Sequence, residues 1–430
     1  MRVLFALTLV ATVLTLSPAR DDTKYDKTVP AAEKDYPPGW FPITKLTADE
    51  TWQGVRDADK EEPKVRLYLP PGVKACRGVF LCFQFHSADP RHCADLWDFA
   101  LVTVPWPMEY DIGVNDKRSG RVKLGHPAGN TGYLLRYLEF AAKETNHPEL
   151  ATAPIVGWLM QNGAAHVKDL YDRAPDRLIA WSDGWPNRMA AISAVTDKVP
   201  FVYAWELGGD VKEREAARAA AGDSLKNKPT PAPTLTCRAT TYGFKHGVYS
   251  KYGFFACYLD RCIKARLPAD GKPGPLLPVS VDSGWASDFN PVTEWVPIAP
   301  AKEARGMVSP VWLPDEYMAW VYRAYHSAKP DLKVVAPVTE YRTGKDRDDC
   351  GLGYSPIAKA GGAVKVVAAV KGEYKSVEFR DGDKVLGSVA AAPYELDGVK
   401  FAPGLHALIA VGVRADGTRA SSHPAFYAVK

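Results

Sequence analysis

The sequence predicts an α/β protein, a mostly parallel sheet flanked by helices, followed by a small all-β sandwich. Two observations predict it. From about residue 45 to Pro268, β-rich runs alternate with helical patterns, which is how a parallel sheet covered on both faces is written. After Gly361-Gly362 the hydrophobic pattern turns to period two, with no helix and with Asp381-Gly382 and Asp416-Gly417 as turn signals. At 430 residues, 46% of them hydrophobic, the chain is long enough for two or three cores.

In chain order, Arg2, the apolar run Val3 to Leu16 and Ser17-Pro18-Ala19 predict a signal peptide over 1–19, and so a secreted or periplasmic protein. The run is short for a bilayer, and no other segment reaches transmembrane length. A proline-rich leader spans 20–44. Within 45–268 the predicted strands are Lys64–Leu69, Gly78–Phe85, Ala100–Val104, Pro154–Trp158, Arg177–Trp181 and Pro200–Trp205, with helices over Thr131–Asn146 and Tyr252–Ala265. Residues 269–355 are rich in proline and tryptophan and read as a cap or linker with one helix, Pro314–Ser327. Strands over Val364–Val370, Ser376–Phe379, Lys384–Ala390, Ala407–Val413 and Ala425–Val429 fill 356–430. That last module suits an extracellular spacer or adhesion role.

The stretch Ala153 to His166 carries the chemistry. An apolar run ends at a short turn containing Gly163, and helix-compatible sequence continues to Leu170. This is the layout of a nucleophile elbow, in which a tight strand-to-helix turn lifts a serine above the sheet. The nucleophile position holds Gln161, and the preceding small residue is replaced by Leu159. A carboxamide donates and accepts hydrogen bonds but forms no acyl-enzyme.

From Arg77 to Pro268 the chain resembles the α/β-hydrolase superfamily, especially its secreted esterase and polyester-depolymerase-like branch. Arg77-Gly78-Val79-Phe80-Leu81-Cys82 resembles the strand before the oxyanion loop. Asn146-His147-Pro148-Glu149-Leu150 with Ala153 to Trp158 resembles the approach to the elbow. Val199 to Glu206 resembles the strand carrying the acid, and Phe244-Lys245-His246-Gly247 the catalytic-histidine loop. The tail resembles bacterial immunoglobulin-like domains through Val377 to Gly387, Ala392-Pro393-Tyr394 and Pro403-Gly404-Leu405-His406. The resemblance implies a triad in the order nucleophile, acid, histidine: Gln161, then Asp210 or Glu206, then His246. The oxyanion loop Gln84 to Pro90 holds no glycine, a second departure from the pattern.

Ala180-Trp181-Ser182-Asp183-Gly184 fits a relaxed serine pentapeptide, so Ser182 with Asp210 and His246 is the alternative catalytic set. His86, Trp158, Trp185 and Trp205 fall near strand ends and are candidate cleft residues. Cys82, within a predicted strand, and Cys93, in a polar turn, lack a nucleophile's setting. His86, His92 and Cys93 beside Asp89 and Asp95 match no recurrent metal spacing, so no metal and no cofactor are expected. Seven cysteines in an exported chain permit disulfides or buried thiols, with Cys257 and Cys262 poorly spaced to bridge within a helix. A net charge of +4 without a basic stripe gives no nucleic-acid surface. The expected function is binding of a small ester, polyester or carbohydrate-like ligand by a pseudoenzyme; the alternative is an active esterase working through Ser182.

Overall fold

The computed structural model describes residues 66–83, 90–104, 132–160, 164–184, 197–206, 234–241, 249–268, 274–289, 294–304, 307, 310–327, 331–337 and 360–430. The first sheet has seven strands: β1 (Arg66–Tyr68), β2 (Gly78–Phe83), β3 (Phe99–Val104), β4 (Ile155–Met160), β5 (Leu178–Gly184), β6 (Phe201–Glu206) and β7 (Thr236–Thr241). Their order is β1-β3-β2-β4-β5-β6-β7, with β1 antiparallel and every other pairing parallel. The described helices of this part are α1 (Arg91–Trp97), α2 (Gly132–Glu144), α3 (Ala164–Arg173) and α4 (Tyr249–Arg266). This is the α/β fold class that the sequence predicts. Cys93 lies buried in α1 rather than in a polar turn.

Central strands read as continuous apolar runs because both faces are covered. Phe80, Val156, Trp158 and Trp181 have no exposure. Gly157 is glycine for a steric reason: a Cβ there would sit 2.2 Å from the Trp181 ring. Trp158 packs edge-on against Phe255 of α4, with centroids 5.5 Å apart. Two arginines tie elements together through carbonyls. Arg266, at the end of α4, donates from Nη1 to Leu178 O (2.6 Å) and Ile179 O (2.8 Å) at the start of β5. Arg177 donates to Ala153 O and Leu150 O ahead of β4.

The segment expected to be a cap or linker is more regular than its composition suggests. β8 (Trp285–Asp288), β9 (Ile298–Pro300) and β10 (Pro310–Leu313) form a small antiparallel sheet. Helix α5 (Glu316–Tyr325) follows, its N-cap Asp315 accepting from Met318 N at 2.9 Å and pairing with Arg261 of α4. β11 (Leu332–Ala336) then pairs with β12 (Ala363–Val370), so the sandwich begins earlier than residue 356.

The sandwich continues with β13 (Ser376–Asp381), β14 (Lys384–Val389), β15 (Glu395–Lys400), β16 (Gly404–Val413), β17 (Arg419–Ser421) and β18 (Ala425–Val429). One sheet is β11-β12-β15; the other is β14-β13-β16-β17, with β18 also on β16. Gly382 and Gly417 take positive φ, +55° and +84°, at the two turns read from the sequence.

The sandwich packs closely on the preceding part of the chain, because β16 is covered on both faces. Leu408 and Ala410 lie in the sandwich core beside Val377 and Phe379 of the neighbouring strand β13. On the other side, Leu405 and Ala407 join the cluster containing Phe255 and Trp312, and Ile409 and Val411 pack on Trp320 and Ala324 of α5. Polar contacts reinforce this junction. Tyr317 Oη donates to Asp381 Oδ1 (2.7 Å) and accepts from Ala407 N (2.7 Å), while His406 Nδ1 lies 2.7 Å from Asp381 Oδ2. Above them runs an alternating stack of cations and rings. Arg380 lies 3.7 Å from the Trp320 centroid, and Arg323 lies 4.5 Å from Trp320 and 4.0 Å from Trp295.

His423, partly buried beyond β17, donates from Nε2 to Ser327 O at 3.0 Å; a carbonyl only accepts, so this nitrogen carries the proton. Burial lowers its pKa from the ordinary 6.5, outweighing the Ser327 hydrogen bond. The unfolded chain therefore binds more protons as pH falls, and stability is full above about pH 6.5 and lost below it. Replacing His423 with glutamine is expected to flatten the acid limb of the stability profile by up to about 1.4 kcal/mol per pH unit. Urea midpoints of both proteins across pH 5–7.5 check this; parallel profiles would refute it.

Candidate functional site

Parallel pairing in register brings the C-terminal ends of six strands, β2 to β7, to one edge of the sheet. Cys82 of β2 lies beside Trp158, Met160 beside Gly184, Gly184 beside Ala204, and Glu206 beside Thr241. In sheets of this kind ligands bind outside the carboxyl ends of the strands. β4 stops at Met160 and α3 starts at Ala164, so three residues, Gln161-Asn162-Gly163, separate strand from helix. A strand followed within three residues by a helix is compatible with the layout an elbow requires.

Ser182 sits in a different setting. It lies inside β5, beside Trp158 on one neighbour and Val202 on the other, with no exposure, and its Oγ donates to Gly157 O at 3.3 Å. β5 runs on through Asp183 to Gly184 before it ends. The pentapeptide match is thus a strand interior, and a hydroxyl without solvent access cannot meet an ester. Trp158 is likewise corrected from cleft to core, since it has no exposure and packs beneath α4. The backbones of Trp205 and Glu206 end β6 at the site edge. Gln161, His86, Trp185, Asp210 and His246 lie outside the described residues.

One acid escaped the sequence reading. Asp183, beside Leu159 and Tyr203 at the end of β5, is fully buried. A carboxylate is costly to bury without partners, so an acid closing an apolar strand was the signal available. The described cysteines offer no activated nucleophile. Cys76, Cys82, Cys93, Cys237, Cys257 and Cys262 are all buried. Burial pushes the thiols of Cys237, Cys257 and Cys262 well up, away from the reactive thiolate. Among the described residues no helix is long and apolar enough to cross a membrane.

No protein-family model matches the chain, and no curated protein matches it. Solved structures do. An S-formylglutathione hydrolase from Agrobacterium tumefaciens is 12% identical over 48% of this chain and 89% of its own, with a TM-score of 0.28. A serine hydrolase homologue from Coxiella burnetii is 14% identical over 42% and 81%, with a TM-score of 0.25. The fibronectin(III)-like modules of Clostridium thermocellum CbhA are 28% identical over 23% and 94%, with a TM-score of 0.19. Overlaps this loose leave the fold resting on the strand order and pairing above. The class that strand order and pairing define is a mostly parallel α/β sheet flanked by helices and followed by an antiparallel β-sandwich.

Proposed function

We propose that this is an exported, non-catalytic relative of serine hydrolases that binds a small ester, polyester or carbohydrate-like ligand at the carboxyl edge of its first sheet. The observation that supports the reading is that only three residues, Gln161-Asn162-Gly163, separate the end of β4 from the start of α3. Members of a triad act as a unit, so loss of the nucleophile removes most of the rate enhancement whatever becomes of His246 and its acid. Gln161 retains two donors and an acceptor, with which it orients a polar ligand group.

Purified protein is expected to hydrolyse short-chain nitrophenyl esters no faster than buffer, and Ser182→Ala and His246→Ala are expected to change nothing. Gln161→Ser is the informative variant: ester turnover that appears with it and disappears in Gln161→Ser/His246→Ala would identify the remainder of the triad. Wild-type turnover abolished by either Ser182→Ala or His246→Ala would overturn the proposal. Isothermal titration with short polyester and oligosaccharide fragments then separates the two ligand classes.

A further inference from the structure

The opposite, amino edge of the same sheet holds a second cluster of chemically capable side chains. Cys76 lies just ahead of β2, and His147 and Glu149 lie in the turn and the 3-10 helix Pro148–Ala151 ahead of β4. β2 and β4 pair in parallel, so their approaches are neighbours. Cys76 N donates to Glu149 Oε1 at 2.8 Å, and the same oxygen lies 2.7 Å from His147 Nδ1. The Cys76 sulfur, one imidazole nitrogen of His147 and one carboxylate oxygen of Glu149 lie within 4.8 Å of one another. Cys76 is buried, while the His147 and Glu149 side chains keep 16% and 19% exposure, so an ion reaches the cluster from solvent.

We propose that Cys76, His147 and Glu149 form a three-ligand site for a zinc-like divalent cation, with water as the fourth ligand. Sulfur, imidazole nitrogen and carboxylate oxygen are the donors zinc takes, in a tetrahedron with bonds of about 2.0–2.3 Å. Such bonds put ligand atoms roughly 3.3 Å apart, so the His147–Glu149 contact needs to open only slightly to admit the ion. In the metal-free protein burial and the nearby Glu149 charge push the Cys76 thiol up to about 12. Binding replaces that thiol proton with the metal and releases it to solvent. A nucleophilic role for the same cysteine would call for the opposite shift. The ion would clip together the entries to β2 and β4, independently of what the far edge of the sheet binds.

Cobalt(II) alone, titrated into the full-length reduced protein, is the test. A thiolate-to-cobalt charge-transfer band saturating at one equivalent is expected, absent from Cys76→Ser. In His147→Gln or Glu149→Gln the apparent dissociation constant should rise at least about tenfold, the scale of losing a metal's supporting groups. Zinc should also raise the melting temperature of the wild type and leave that of His147→Gln unmoved, a readout that survives if Cys76→Ser fails to fold. No saturable band, or one that persists unchanged in His147→Gln, would overturn the proposal.

Discussion

Asp381→Ala is expected to lower the unfolding free energy by about 3–5 kcal/mol, the cost of leaving several buried polar groups without their shared partner. Asp381 receives three groups in the junction between α5 and the sandwich: Tyr317 Oη, His406 Nδ1 and Ala407 N, the last at 3.2 Å. The residue is buried, with a side chain only 12% exposed, so water poorly replaces the lost carboxylate. Tyr317 is left holding a phenol whose own pKa burial has already driven well above its ordinary value. Asp381→Asn keeps an acceptor for Tyr317 and should cost less. Guanidinium denaturation followed by far-UV circular dichroism measures both variants. A loss below about 1 kcal/mol for alanine, the scale of an exposed ion pair, would show that the network contributes little.

Trp158→Ala is expected to cost about 3–5 kcal/mol, as large-to-small changes of core aromatics do. Trp158 is enclosed by its strand neighbours Cys82 and Ser182 and by Phe255 of α4. The same variant separates the two roles considered for this residue. A cleft tryptophan would leave the melting temperature almost unchanged and weaken ligand; a core one destabilises the fold throughout. Thermal melts beside ligand titration give the answer, and an unchanged melting temperature would return Trp158 to the cleft.

The sequence disclosed the sheet's interior far better than its borders. β2 to β6 are apolar runs bounded by turns, and each lies within two or three residues of its predicted place. β7, an edge strand reading Thr-Cys-Arg-Ala-Thr-Thr, alternates only the small buried Cys237 and Ala239 with polar residues, and β15, reading Glu-Leu-Asp-Gly-Val-Lys, has no fully buried residue, so neither carries a strong hydrophobic period. The strand before Gln161 and the helix after Gly163 were legible because both are local features. The pentapeptide around Ser182 misled because five letters cannot say whether a strand has ended, and β5 continues past the serine. Tryptophans near strand ends are equally ambiguous, since the pattern marks depth along the strand but not what covers it.

The two-sided cover of β16 also had a trace in sequence: Leu405 to Val413 is nearly unbroken apolar, where a sandwich strand with a wet outer face would alternate. It makes the C-terminal module a poor candidate for transplantation. Cut from its neighbour, it would carry Leu405, Ala407, Ile409 and Val411 into water as an adhesive stripe. A domain that drifts between proteins as a bead on a string keeps its outside polar. Here the apolar stripe is buried against the neighbouring fold, so the two are expected to unfold together.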